Sequence, residues 1–417
     1  MYTVQSKISF VQQPSVIFPT RTQTIIYNFA HEFECSNSWR DLTDDGSITL
    51  PKNVIFVDKN GNKINTGGTN INIGGFSSAP PLFLRGDKVT IQWGYAYYDK
   101  SGNEVSPLQI IFTGYISEVT SKKPFVLKVQ DNMYILKQHK ANGGIKNFFQ
   151  GSKYTVESML REMIFNAGLT FTVKNTSTLI GDYMAQGTIC EVISDLQKKY
   201  GFEAYFNGNE LRAGSQIYFS SDDGNQAKGS GLKYYKFKFQ QNIISDDLDY
   251  KRKDDIVLSA VCKNTIEQTT GKITKDGQAK TKKVKLELLI TFSNGSSTPT
   301  YIVGTSDNPL PPNTGGERHD FQFPGALTIQ DLKDLGTPKL KQYYYTGLRG
   351  KFTTFGIPYI QFGNYIDLLD DILPERNGRY VVKSVHYSGG VGGLRQSIEL
   401  EYLILQLDAN GVPIVTT

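Results

Sequence analysis

In this 417-residue chain, the residues whose type and spacing could form a catalytic site are adjacent aspartates. Two carboxyl groups about 5–10 Å apart across a cleft can hydrolyse a glycosidic bond. The pairs considered are Asp44–Asp45, Asp246–Asp247, Asp254–Asp255 and Asp370–Asp371, and Asp367 lies three positions before the last of them. They fall in predicted loops or at strand ends, where aspartate commonly stabilises turns. We therefore interpret them as turn residues and predict no catalytic residue among them.

The histidines, cysteines and glycine-rich segments give no stronger indication of a catalytic, metal-binding or phosphate-binding site. The sequence contains no HExxH, GxSxG or GxxxxGK[ST] motif and no CxxC pair. Gly389–Gly393 lies between two predicted strands and opens no helix, so it indicates a turn and not a phosphate-binding loop. We predict no cofactor and no metal site, and we do not expect an enzyme; the residues considered are His31, His139, His319, His386, Cys35, Cys190 and Cys262.

The composition predicts a folded, mostly β protein. Hydrophobic residues make up 39% and charged residues 20%, and aromatic residues at 12% are frequent among many glycines.

No apolar run approaches the ~20 residues that a membrane-spanning helix needs, and no signal-peptide pattern occurs. We therefore expect synthesis in the cytosol and no stable membrane insertion. The net charge of +5 requires no nucleic-acid partner. Lys275–Lys285 and the Lys/aromatic alternation of 233–239 are interpreted as solvated strand faces, with phosphate or single-strand binding as alternatives.

Residues 1–140 are predicted to form a first β-barrel. Several short strands follow one another, and Lys88–Tyr95 alternates with a period of two, which places Val89, Ile91 and Trp93 on one face. A sheet of five or more strands with short turns favours closure into a barrel, because closure removes exposed edges.

Residues 141–230 change to helical spacing and predict a small α/β module with two helices. Val156–Ile164 has an apolar stripe, and Gly168 stands where a C-cap glycine belongs. Thr188 and Glu191 have the spacing of a capping box before the second helix, at 188–200.

Residues 231–407 return to strands and predict a second β-barrel. This block has a long hairpin arm at 265–285, a Pro/Gly-rich loop at 304–318 and a helical segment over Thr328–Tyr345. Residues 408–417 are predicted to be a tail. The sequence contains no repeat that we could align between the two strand-rich blocks, so a duplicated barrel is inferred from architecture alone.

In its succession of motifs the chain resembles the tail-hub family, which includes the baseplate hub of contractile phages, the late-control tail protein and the base of type VI secretion spikes. The resemblance covers nearly the whole chain, and the segments that carry it are Trp39–Pro51, Phe112–Ile116, the helices 155–167 and 188–200, Gly350–Pro358, Phe362–Asn364 and Gly378–Val382. It implies two tail-hub-type barrels with an inserted α/β domain.

The resemblance also implies a structural role. Hubs of this family are homotrimers whose six barrels form a pseudo-sixfold ring between the tail tube and a central spike or fibre, around a channel for DNA. The expected partners are therefore the tail tube or distal tail protein, a separate spike or fibre, the tape-measure protein and passing DNA bound without sequence specificity. The expected location is the virion tail, assembled in the host cytoplasm. Two alternatives stay open: a tail-associated cell-wall or polysaccharide hydrolase, and a glycan-binding adhesin.

Overall fold

The protein is seen in a computed structural model. The structure describes residues 3–50, 81–98, 100–101, 104–105, 108–120, 125–141, 146–147, 156–175, 184–200, 203–214, 234–273, 279–305, 307–312, 315–323, 326 and 328–414.

The first block is a sheet of antiparallel strands. Its strands are β1 Thr3–Val11, β2 Thr24–Tyr27, β3 Glu32–Ser38, β4 Asp45–Leu50, β5 Lys88–Tyr98, β6 Glu104–Val105, β7 Gln109–Val119 and β8 Phe125–Gln130. Six of them pair in the order β3-β4-β8-β7-β5-β1, while β2 extends the sheet beyond β1 and β6 pairs with β5. We call these six strands the first unit. Val89, Ile91 and Trp93 of β5 are all buried, which confirms the predicted alternation.

The α/β module follows. Its elements are α1 Met133–Gln138, β9 Lys146–Asn147, α2 Val156–Asn166, β10 Thr172–Asn175, β11 Met184–Ala185, α3 Ile189–Tyr200, β12 Glu203–Asn207 and β13 Glu210–Gly214. The predicted capping box of α3 is confirmed, because the Glu191 carboxylate accepts from the Thr188 amide at 2.7 Å and the Thr188 hydroxyl accepts from the Glu191 amide at 3.2 Å. Gly168 has a φ of 71°, as expected of a glycine that ends α2. The two predicted helices, α2 and α3, bury their apolar stripes in one core with β10, β12 and β13, and α1 adds Met133 and Leu136 to that core.

The last block contains the second unit and an inserted layer. Its elements are β14 Tyr234–Lys238, β15 Ile243–Lys251, β16 Leu258–Ile273, β17 Ala279–Phe292, β18 Thr300–Gly304, β19 Glu317–Gln322, α4 Ile329–Lys341, β20 Gly347–Phe355, β21 Tyr365–Leu369, β22 Gly378–Gly390 and β23 Arg395–Gln406. The second unit pairs in the order β15-β20-β23-β22-β21-β14.

The two units have the same strand order. Numbered along the chain, the strands of each unit pair in the order second, third, sixth, fifth, fourth, first. The units differ at the last pair, which is antiparallel between β5 and β1 and parallel between β21 and β14. The duplication is thus visible in the topology, although no repeat could be aligned in the sequence.

One ladder joins the two units. Strand β3, the second of the first unit, pairs antiparallel with the last part of β22, the fifth of the second unit, from Ser384↔Ser38 to Gly390↔Glu32. The side chains of both units bury themselves in one continuous hydrophobic core. A Cβ on Gly389 would lie 2.3 Å from the ring of Phe33, so this contact requires glycine.

The inserted layer separates β15 from β20 along the chain. Strands β18-β17-β16-β19 form a sheet of their own, and α4 packs on it over a separate core. The sequence prediction treated this segment as part of the second barrel. The predicted arm is the outer end of the β16–β17 hairpin, which pairs out to Ile273↔Ala279. In the Pro/Gly-rich loop, Arg318 donates to the carbonyls of Pro311 and Pro312 at 2.9 and 2.8 Å.

The helical segment is shorter than predicted. Thr328 caps α4 together with Asp331, and the helix ends at Lys341 and not at Tyr345. Beyond β23 the chain folds back, because the Ile414 amide donates to the Gln406 carbonyl at 2.9 Å. The start of the segment predicted as a tail therefore lies against the end of the second unit.

Candidate assembly surfaces and the module junction

Arg40 connects all three parts of the chain. It lies between β3 and β4, and its guanidinium donates to Glu203 of β12 at 2.7 Å, to Glu401 of β23 at 2.5 Å and to the Tyr343 hydroxyl at 2.6 Å. The guanidinium carbon lies 3.9 Å from the ring centroid of Trp39, which adds a cation–π contact. This one side chain therefore links the first unit, the α/β module and the second unit.

The cavity around Arg40 contains charges of both signs. It has a volume of about 750 Å³, and its charged lining residues besides Arg40 are Lys198, Glu203, Glu317, Asp320, Lys339, Arg349, Lys383 and Glu401. Burial raises the pKa of Glu203 and the positive charge of Arg40 opposes that rise, while burial and nearby Arg40 lower the pKa of Lys339. The Arg40 guanidinium neutralises the carboxylates of Glu203 and Glu401. This geometry therefore suits a fixed polar junction between the two units and the α/β module.

A second cavity, of about 500 Å³, lies beside two buried aspartates. The structure separates the pair Asp44–Asp45, because Asp44 is buried while Asp45 is exposed at the start of β4. Asp44 accepts from the Ser38 amide at 2.8 Å, and Asp131 accepts from the Met133 amide at 3.1 Å. Burial raises the pKa of both aspartates, that of Asp131 to about 7. The negative charge of Asp131 raises the pKa of Asp44 further. Sequence analysis missed Asp131, whose one signal is its place between β8 and α1.

The other aspartates considered in the sequence analysis do not converge on a cleft. Asp367 is buried, and Arg379 on the neighbouring strand donates to both its oxygens at 2.6 and 2.9 Å. Asp370 caps a turn by accepting from the amides of Ile372 and Leu373. Asp246, Asp247 and Asp371 are exposed, and Asp254 pairs with Arg252 within an exposed turn.

The histidines and cysteines lie apart from one another. His319 lies 3.0 Å from Glu317, and His386 lies 2.9 Å from the Ser36 hydroxyl across the β3–β22 ladder. His139 contacts the Ile135 carbonyl, and the three cysteines are buried without disulfides. Within the described ranges, no three His, Cys, Asp or Glu side chains are placed to hold a metal ion.

The ends of the long sheet are candidate assembly surfaces. In the described part of the chain, β15 has one ladder partner, β20, and at the opposite end β2 has one, β1. Ile244 of β15 is 43% exposed and Ile26 of β2 is 51% exposed. Strand β18 is an edge of the inserted layer, with Tyr301, Ile302 and Val303 each partly exposed. Edge strands that expose apolar side chains readily pair with a strand from another chain.

Two comparisons return nothing: no protein-family model matches the sequence, and no curated protein matches it. No helix in the described part of the chain is both long and apolar enough to span a bilayer.

Solved structures do match. The tail protein from Neisseria meningitidis MC58 matches with a TM-score of 0.53 and 10% sequence identity, over 98% of this chain and 99% of that one. The 43 kDa tail protein of prophage MuSo2 from Shewanella oneidensis matches with a TM-score of 0.47 and 12% identity, over 98% and 100% of the two chains. A Francisella PdpA–VgrG complex matches with a TM-score of 0.47 and 9% identity, over 99% of this chain and 54% of that one.

The first of these similarities extends over almost the full length of both chains. The predicted fold class, mainly β with a small α/β module, is confirmed, and so is the resemblance to tail proteins at the level of fold. The chain has the fold of the Neisseria meningitidis tail protein.

Proposed function

We propose that this protein is the structural hub of a bacteriophage tail or of a phage-derived injection device. In this proposal the chain is not an enzyme. Three copies form a ring of six strand units that joins the tail tube to a central spike or fibre around the DNA channel. The proposed domains are the barrels at 1–140 and 231–407, the second of which carries the inserted layer, and the α/β domain at 141–230.

The duplicated strand order carries this proposal. Two units with the same strand order lie side by side in one chain, joined by the β3–β22 ladder. Three such chains in a closed ring would present six similar units to a sixfold tube and three identical faces to a threefold spike. The fold shared with a tail protein supports the same role.

The module junction supports a rigid, load-transmitting part. Arg40 holds the α/β module and both units together through three hydrogen bonds, two of them to carboxylates. Bonds between a charged donor and a charged acceptor are stronger than neutral ones, so the junction resists relative movement of the modules. The proposed partners are the tail tube or distal tail protein, a separate spike or fibre, the tape-measure protein and passing DNA.

The test is the mass of the purified protein in solution, measured by light scattering after size exclusion at two concentrations. We expect three times the chain mass of 46.6 kDa at both concentrations, and a ring with a central channel by electron microscopy. A strict monomer at both would contradict the ring.

A hydrolase would be revealed differently. Clearing of a peptidoglycan or polysaccharide zymogram by the wild-type protein, lost in Glu203→Gln or Glu401→Gln, would replace the structural role with an enzymatic one. We expect no clearing from any of the three proteins.

A further inference from the structure

The strand order of the two units predicts a second ladder like the one that joins them, and the described strands of one chain do not form it. Within the chain, the second strand of one unit, β3, pairs with the fifth strand of the other, β22. Because both units have the same strand order, the corresponding pair is the second strand of the second unit, β15, and the fifth strand of the first unit, β7. Strand β15 ends the long sheet on the side of the second unit, and β7 lies within the first unit on the other side. The two strands do not meet within one chain, so the corresponding contact can form only between two copies.

Strand β15 is more exposed than β3. Phe33 and Cys35 of β3 are fully buried, whereas most of β15 is exposed, including Asp246, Asp247 and Asp249. This nine-residue edge strand carries one exposed apolar side chain, Ile244, and is long enough to template another strand.

Strand β7 has an open stretch at the corresponding place. On β22, strand β23 occupies one edge, while β21 pairs with Gly378–Val381 and β3 with Ser384–Gly390 on the other. On β7, strand β8 occupies one edge, and β5 pairs with Gln109–Tyr115 on the other. The β5 edge continues through Ile116, which bonds to Gly86 and Asp87. Beyond it, Glu118–Thr120 have no ladder partner on that edge within the described residues.

The two surfaces carry charges of both signs. Strand β15 presents Asp246, Asp247 and Asp249 to solvent. Near the end of β7, Lys88 lies opposite Tyr115, and Lys128 is paired with Glu118 at 2.8 Å. Lys88 can attract an aspartate of β15, whereas Glu118 would repel an aspartate placed directly opposite it.

We propose that β15 of one copy pairs antiparallel with the end of β7 of the next copy, repeating between chains the contact that β3 and β22 make within one chain. The contact is head-to-tail, so each copy offers one β15 and one β7 and the copies close into a ring. This inference rests on the proposed ring and names its surfaces.

Cysteine cross-linking between two populations tests it. One population carries Asp247→Cys or Asp249→Cys, the other Glu118→Cys, and they are mixed, allowed to exchange and mildly oxidised. Cβ atoms directly opposite across an antiparallel pair lie about 4.5–5.5 Å apart, within reach of a disulfide. We expect one of the two mixtures to give linked heterodimer at least roughly tenfold above either population alone, because a head-to-tail contact never places a residue opposite its own copy. The wild type, whose cysteines are buried, gives the background.

The matched control uses the other open edge. Ile26→Cys on β2 is mixed with the same β15 variants, and a higher yield there than with Glu118→Cys would overturn the proposal in favour of simple end-to-end extension of the sheet. A trimeric mass without cross-linking to either position would overturn the proposed contact and leave the hub function intact. A monomeric mass without cross-linking would overturn both.

Discussion

The indole ring of Trp93 stands perpendicular to the ring of Tyr387, with their centroids 5.2 Å apart. Trp93 belongs to β5 of the first unit and Tyr387 to β22 of the second, so this edge-to-face pair lies across the joint between the units. The Tyr387 hydroxyl also donates to the Ile360 carbonyl at 2.6 Å, and both rings are buried. The two units therefore share an interior, and we expect them to unfold together.

Substitutions at this pair should separate packing from hydrogen bonding. Trp93→Ala should lower the free energy of unfolding by about 3–5 kcal/mol, because a large buried ring leaves a cavity. Tyr387→Phe keeps the ring and leaves the Ile360 carbonyl unsatisfied, so about 1–2 kcal/mol should be lost. Urea unfolding followed by tryptophan fluorescence and circular dichroism measures both changes. Two resolved transitions in the wild type would contradict the shared interior.

Removing Arg40 should loosen the module junction. Glu401 is 3% exposed, so Arg40→Ala leaves a buried carboxylate with the Tyr343 hydroxyl as its remaining side-chain donor. We expect a loss of about 2–4 kcal/mol and faster amide hydrogen exchange in the α/β module. The matched control is Arg252→Ala, whose partner Asp254 is exposed and whose loss should stay below about 1 kcal/mol. Equal losses in the two variants would show that Arg40 is only a surface charge.

Local patterns in the sequence predicted local structure well. The period of two in Lys88–Tyr95 and the spacing of Thr188 and Glu191 depend on neighbours within one strand or turn, and both are confirmed. The tail-protein fold was predicted from a succession of such segments, and the comparison with a solved structure bears it out.

Contacts between distant segments could not be read in the same way. Ser36 and His386 are 350 positions apart, and nothing within β3 or β22 alone indicates that the two strands pair. Asp44 and Asp131 are brought together by the β4–β8 ladder, so Asp44 looks like a turn residue until both strands are in place. The inserted layer was missed because its strands have the same alternating pattern as those of the second unit.

Asp87 should be among the most sensitive charged positions. It pairs with Arg21 at 2.5 and 3.0 Å, and both side chains are almost completely buried. Asp87→Ala leaves the buried Arg21 guanidinium without its carboxylate partner and should lower the free energy of unfolding by about 3–5 kcal/mol. The double variant Arg21→Met/Asp87→Leu removes both charges, so it should lose less than Asp87→Ala alone. Thermal unfolding of the single and double variants checks this order. The reverse order would show that Arg21 stabilises the fold without Asp87, through its bonds to the carbonyls of Gln13, Pro81 and Leu82.

The buried carboxyl groups Asp44 and Asp131 should make stability depend on pH. Burial raises the pKa of Asp131 to about 7, and the surrounding charges act in both directions: Lys137 lowers that pKa, while Asp45 raises it. A carboxyl group with a higher pKa in the folded chain holds its proton more readily when folded. Its contribution to stability is therefore present at low pH and is lost as the pH rises from about 4 to about 7.

Asp131→Asn should remove much of this dependence, since the amide cannot ionise and its oxygen can still accept from the Met133 amide. We expect the free energy of unfolding of the variant, relative to the wild type, to rise between pH 4 and 7 and to level off above pH 8. Urea titrations at pH 4, 5.5, 7 and 8.5 measure the difference, with the exposed Asp246→Asn as control. Parallel curves for Asp131→Asn and the wild type would mean that Asp131 titrates alike in the folded and unfolded chains, and Asp131 would then have no part in the pH response.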